Sequence, residues 1–319
     1  MSRRTVRVVG TRLLQTIPVM ILATLAIFSL LQLVPGDPAA VIAGENATVE
    51  RITEIRSMLG LDQPVWQQYL HWLGNAVRGN LSNSLITGEP VLQEVLRRLP
   101  DTLLIVFGAL GISMIIGLVL GLLAAMNVNS RVDKFVTGLS SLGVAVPNFW
   151  LAMILVGFFG LKMGWFPTTG SASITEDFGS AIAHATLPAL ALATGGIAEI
   201  SRQLRSALID VLSSQYVRTL HAKGLSQSRI LWKHGLKNVS LTMLTVVGLV
   251  FNRALGATVA IEAVFAIPGT GSLIVTSATN KDFPMVQGLV FVLVLIVIVC
   301  NLLIDILYSV LDPRVGEKE

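Results

Sequence analysis

Charge and cysteine are both scarce in this chain. Only 13% of its 319 residues are charged and 53% are hydrophobic, giving a mean hydropathy of +0.73, whereas a soluble domain carries roughly a quarter charged residues. A water-soluble globule is thereby excluded, and a membrane protein with several spans is expected. The single cysteine, Cys300, sits in an apolar run. A disulfide framework and a metal site of Cys/His spacing are excluded, and Cys300 reads as a small buried thiol. No G-x-x-x-x-G-K-[ST] stretch occurs, so the chain has no phosphate loop with which to hold ATP. Any energy has to come from a partner or from a gradient. The formal net charge is +4, but the basic residues gather beside apolar runs. Membrane topology accounts for them, and nucleic acid is not an expected partner.

What is present is apolar length. A hydrocarbon core of about 30 Å takes about 20 helical residues, and six runs reach that length: 13–34, 102–126, 135–161, 181–200, 239–261 and 286–311. Arg3, Arg4, Arg7 and Arg12 precede the first run like the basic head of a secretory signal. The run exceeds the roughly 7–15 residues of a signal's apolar region, so an uncleaved anchor is expected. Six spans make successive loops alternate sides, and Lys/Arg content should alternate with them. It does: the N-terminus, the 127–134 turn with Arg131 and Lys134, and the 201–238 segment are basic. The intervening loops set Lys162 against Glu176 and Asp177, and Lys281 against Glu262 and Asp282. Both termini are therefore expected in the cytoplasm. The chain divides into an N-terminal anchor (1–34), an external loop (35–101), a five-helix core (102–311) and a short cytoplasmic tail (312–319). Pro18, Pro147 and Pro188 predict kinks or loosened turns, and Gly117-x-x-x-Gly121 predicts close helix packing.

Within the external loop, LGLDQPVWQQYLHWLGNAV predicts an amphipathic helix started by Pro64, with Trp66, Tyr69, Leu70 and Leu73 at helical spacing. A loop of this length with its own structure reads as functional or as a lid, and Trp66 and Trp72 also suit a membrane interface.

The 201–238 segment sets Arg202, Arg205, Arg218, Lys223, Arg229, Lys233 and Lys237 against one acid, Asp210. Ser213 or Ser214 is placed to cap a short helix through residues 216–223, and Gly224 stands where a left-handed residue would end it. Ser226 is placed to cap a second helix carrying Ile230, Leu231 and Trp232. On the first helix, Tyr216 and Leu220 share one face while Arg218 and His221 share another. An apolar knob with a basic rim suits a groove in a partner protein or a layer of anionic headgroups. The residues alone leave both open.

The stretch YVRTLHAKGL resembles the cytoplasmic coupling-loop motif of binding-protein-dependent ABC-transporter permeases: EAA, three residues, Gly, nine residues, then I-x-L-P. Gly224 matches the glycine, Leu236 the leucine, and Arg218, Thr219 and Leu220 occupy the EAA positions, while His234 and Lys237 depart from Ile and Pro. The form RT-x-x-AKG followed by H-x-L-K-N is similar to the dipeptide, oligopeptide and nickel branch. Matches to that branch extend over nearly the whole chain. They include RLLQTIP at 12–18, PGDP at 35–38 and LGLDQPVWQQYLHWL. Later come Glu262, Val264-Phe265, Pro268-Gly269-x-Gly271, Lys281-Asp282-Phe283-Pro284, Asn301, Asp305, Tyr308 and Asp312-Pro313-Arg314.

The resemblance implies an all-α integral membrane protein of the type I ABC importer permease fold. Six transmembrane helices would carry a cytoplasmic coupling helix between spans four and five. It implies a homologous second permease, two cytoplasmic ATPase subunits holding ATP and magnesium, and an external solute-binding protein, assembled in the inner membrane's lipid bilayer. The chain itself would bind no cofactor or metal and catalyse no reaction. Tyr216, Arg218, Thr219, Leu220, His221, Ala222, Lys223, Gly224 and Leu225 would couple it to an ATPase. The expected cargo is dipeptides or oligopeptides, with nickel or glutathione as alternatives within the branch. An ATP-independent secondary transporter is the rival of another class, but it predicts inverted repeats, and none is evident.

Polar residues within the spans complete the candidates. Asn301, Asp305, Tyr308 and Asp312 fall on one stripe of the sixth span, which must face protein or water. They either line the inner mouth of a path or staple the helix. Arg253 lies about 21 Å into the fifth span, too far from Asp305 for a direct pair. It is expected to meet backbone carbonyls, a partner subunit or a wet cavity, and a passing peptide's carboxylate is one reading of its role. His184 falls near the outer face while His221 and Asp305 fall near the inner one, so no hydrolytic acid/base site assembles.

Overall fold

Runs of Leu, Ile, Val and Ala fold as helices in a bilayer because every backbone N–H and C=O must be satisfied within the segment. The computed structural model describes residues 3–32, 37–44, 47–58 and 60–311, and among these every regular element is helical. Pro35 and Gly36 of PGDP, the closing Asp312-Pro313-Arg314 and the rest of the 312–319 tail lie outside the described residues. The elements are α1 (Arg3–Gln32), α2 (Pro38–Ala43), α3 (Val49–Met58), α4 (Val65–Val77), α5 (Val91–Met126), α6 (Arg131–Ala145), α7 (Asn148–Leu155), α8 (Phe178–Leu212), α9 (Gln215–Ala222), α10 (Gln227–Arg229), α11 (Leu236–Val264), α12 (Thr270–Thr279) and α13 (Phe283–Leu311). Wider π turns extend α7 over Val156–Lys162 and join α10 to α11 over Ile230–Gly235.

Among the described residues, five stretches are each long and apolar enough to cross a membrane: Leu14–Gln32, Val91–Met126, Phe178–Leu212, Gln227–Val264 and Phe283–Tyr308. The sixth expected crossing is a pair, Arg131–Ala145 and Asn148–Lys162, bent by 97°. The break has a local cause. Val146 precedes a proline and is extended at ψ 122, and Pro147 opens α7 at φ −63. Pro18 and Pro188 lie inside α1 and α8, which continue through them as helices. The second spanning helix also begins well before residue 102, crossing the expected boundary between loop and core. Its first turns are polar yet internally satisfied, because buried Glu94 accepts from Arg97 at 2.5 Å and Arg98 at 2.6 Å.

The chain divides into two compact units. One holds Val9–Pro100 and Gly269–Cys300. Here α4 forms where the amphipathic pattern predicts, but its inner face is Tyr69, Trp72 and Ala76, while Trp66 and Leu70 are exposed. Trp72 is thus a core residue, packed edge-on to Phe291 with ring centroids 6.0 Å apart. Tyr69 shares a hydrogen bond with Thr24 at 3.0 Å and donates to the Ile21 carbonyl at 3.2 Å. In the same unit Asp282 accepts from Ser84 Oγ at 2.5 Å and from the Leu85 N–H at 3.1 Å, pinning the 80–90 segment beside the start of α13.

The other unit holds Asp101–Pro268 and the two terminal stretches. Its centre is α8, whose buried face is rich in small residues, among them Ala185, Ala189, Ala193, Gly196 and Ala198. Small side chains let helix backbones approach. A Cβ on Gly117 would stand 2.8 Å from Ile200 Cβ, and one on Gly121 would stand 2.8 Å from the Ser201 carbonyl oxygen. Polar staples join the same helices: Ser113 Oγ donates to the Ala193 carbonyl at 3.0 Å, and Ser140 and Ser201 share a hydrogen bond at 2.8 Å.

Candidate functional site

Between α8 and α11 the chain makes the short helix α9, followed by the single turn α10. α9 begins after Ser214, an extended residue whose hydroxyl donates to the Val211 carbonyl at 2.6 Å rather than accepting from the helix as expected of a cap. Its C-terminus is closed by the backbone. The Gly224 N–H bonds the His221 carbonyl at 2.9 Å and the Leu225 N–H bonds the Leu220 carbonyl at 3.2 Å, the paired bonds of a Schellman ending. Gly224 has φ +78, a conformation that penalises a side chain. The glycine therefore ends the helix as its position predicts.

The helix's faces differ from the expected ones. Val217 is its buried anchor, Leu220 is half-buried, and Tyr216 is 48% exposed. Tyr216 shares a hydrogen bond with His234 Nδ1 at 2.8 Å, and the two rings meet edge to face. The departure from the permease motif at His234 thus has a local partner. Arg218, Thr219, His221, Ala222 and Lys223 are exposed, so α9 presents a basic, small-sided surface. The expected second short helix is not separate: Ile230, Leu231 and Trp232 lie in the π turn that runs from α10 into α11. Buried Leu231 packs with Leu204, Leu208 and Val239, seating the turn on α8. Arg205 is engaged internally: its guanidinium donates two hydrogen bonds to Asp133, at 2.5 and 2.7 Å.

The intramembrane candidates separate. Tyr308 donates to the Leu241 carbonyl at 3.1 Å and shares a hydrogen bond with Thr245, so it joins the end of α13 to α11. Asp305 is half-buried and Asn301 exposed on the same helix; Asp312 lies outside the described residues. Arg253 has a neighbour that sequence reading did not name. Glu199 Oε2, on α8, stands 3.7 Å from its guanidinium, and the same oxygen accepts from Arg202 at 2.6 Å. A lone glutamate in an apolar run was the available signal. Val217 and Asp133 were missed as well; both look unremarkable until the partner helix is known. Glu262, one of the motif residues, is fully buried and accepts from Thr102 Oγ1 at 2.7 Å.

A helical chain with five long apolar helices, a bent pair and a short helix leading into the Gln227–Val264 segment is a multi-pass membrane protein. Its fold is that of type I ABC importer permeases. A chain of the MetNI methionine ABC transporter, in an inward-facing crystal form, superposes with a TM-score of 0.57 at 17% identity, covering 69% of this chain and 97% of that one. The sequence matches the binding-protein-dependent transport system inner membrane component over residues 117–317 and the corresponding N-terminal component over 5–106. The chain belongs to this family. It is 36% identical over 307 residues to the oligopeptide transport system permease protein AppB of Bacillus subtilis, covering 95% of this chain and 97% of that protein. It is 35% identical to the glutathione transport system permease protein GsiC of Escherichia coli, covering 96% and 98%. It is a permease subunit of an ABC importer, a transport component rather than an enzyme.

Proposed function

We propose that this permease pairs with a homologous second permease in the inner membrane to import peptides, with both termini in the cytoplasm. Two cytoplasmic ATPase subunits, holding ATP and magnesium, supply the energy, and an external solute-binding protein supplies the cargo. The coupling surface is α9 with its Gly224 ending, docked in a cleft of one ATPase. One observation carries this assignment: the α9 surface is outward-facing and basic, yet the helix is fixed to the body by buried Val217 and by the Tyr216–His234 bond. Such a helix transmits a push to α8 and α11, which flank it in sequence. A switch from 1:99 to 99:1 between two openings needs about 5.5 kcal/mol of differential binding, within the scale of nucleotide-driven closure.

Peptide cargo is supported by the relative that transports oligopeptides, and the glutathione relative falls in the same chemistry because glutathione is itself a short peptide. The test is reconstitution of the permease pair, the ATPases and the binding protein in proteoliposomes, with labelled alanine peptides and glutathione as probes. Uptake is expected to require ATP and the binding protein together. Uptake driven by an ion gradient without ATP would contradict the reading.

A further inference from the structure

The α8 and α11 helices carry a charged cluster where Glu199 and Arg253 meet. Arg253 lies inside the apolar run 239–261 of the fifth span, and Glu199 stands at the end of the apolar run 181–200 of the fourth. Glu199 is held by its own helix: Oε2 accepts from Arg202 at 2.6 Å and Oε1 from Gln203 at 3.3 Å. The guanidinium of Arg253 stands 3.7 Å from the same Oε2, beyond hydrogen-bond reach. Two guanidiniums therefore share one carboxylate, and one positive charge is left in excess. The Arg253 side chain is also 69% exposed on this chain, and it makes no hydrogen bond among the described residues.

The space beside the cluster is open. A Cβ added to Gly195, one turn before Glu199, or to Gly256, just beyond Arg253, would meet nothing within 4 Å. Hydrocarbon would not tolerate an exposed, incompletely paired guanidinium within an apolar span. A permanent protein interface is also a poor match, because interface cores are depleted of charge and a buried unneutralised cation is costly. A wet passage satisfies both constraints.

We propose that Arg253, steadied by Glu199, forms a subsite in the translocation path that receives the carboxylate of a passing peptide. This rests on the peptide-importer reading above. A carboxylate matches the paired N–H donors of a guanidinium. Glu199 holds Arg253 in the passage when no cargo is present, and at 3.7 Å it does so loosely enough for exchange.

The test uses the complete transporter in proteoliposomes with its binding protein and alanine peptides of two to five residues. Arg253→Gln is expected to copurify with the second permease, and to lower peptide imported per ATP hydrolysed by about tenfold, the scale of one charge-assisted hydrogen bond. Arg253→Lys should recover part of that loss. An unchanged import ratio in Arg253→Gln overturns the proposal. Loss of copurification overturns it too, assigning the face to the subunit interface instead. Failure of the unsubstituted transporter to import any alanine peptide would instead reject the peptide reading on which the subsite rests.

Discussion

Gly224 does its work through backbone conformation alone, since nothing lies within 4 Å of where its Cβ would be. Asn tolerates the left-handed region, whereas a β-branched residue is strained there by on the order of 1–2 kcal/mol. Gly224→Val is therefore expected to lower ATP-driven import several-fold with normal membrane insertion, while Gly224→Asn keeps most of it. Import in proteoliposomes beside immunoblots of the membrane fraction checks both. The glycine was legible in the sequence because its role is local. Val217 was not: α9 has only two turns, and Tyr216 and Leu220 offered the larger apolar pair, so nothing in the spacing told which stripe meets the body. The Tyr216–His234 bond escaped for the same reason, since it joins residues 18 apart in sequence.

Among whole helices, hydropathy revealed where the chain is apolar but not where each helix begins. The first turns of α5 stayed hidden because Glu94, Arg97 and Arg98 look like loop residues until they are seen to pair. Proline took two different places in these helices. Pro147 breaks its span where the preceding residue turns extended, whereas Pro188 is buried within a helix packed among its neighbours. The Gly117-x-x-x-Gly121 pattern did foretell close packing, and a methyl group at Gly117 would meet the rigid Cβ of Ile200 rather than a yielding chain end. Gly117→Val is expected to destabilise the α5–α8 packing by about 1–3 kcal/mol. Gly111→Ala, where a Cβ meets nothing within 4 Å, should be near neutral. Thermal unfolding of the purified permease in detergent would show the first with a clearly lowered Tm and the second unshifted.

For the molecule as a whole, the proposed coupling surface and the proposed passage involve the same two helices. α8 leads into α9, and α11 follows it; together they also carry Glu199 and Arg253. A displacement of α9 by an ATPase would therefore act on the helices that hold the charged cluster. Cys300 is the chain's one cysteine, so a Cys300→Ser background gives a clean frame for cross-linking. Arg218→Cys or His221→Cys, introduced singly on the exposed face of α9, is expected to cross-link to an ATPase subunit in membranes holding the full transporter. The yield should change when ATP is added, and Val217→Cys, at the 2% exposed anchor, should remain unreactive. If neither exposed position joins an ATPase under any nucleotide condition while import remains intact, α9 is not the coupling helix.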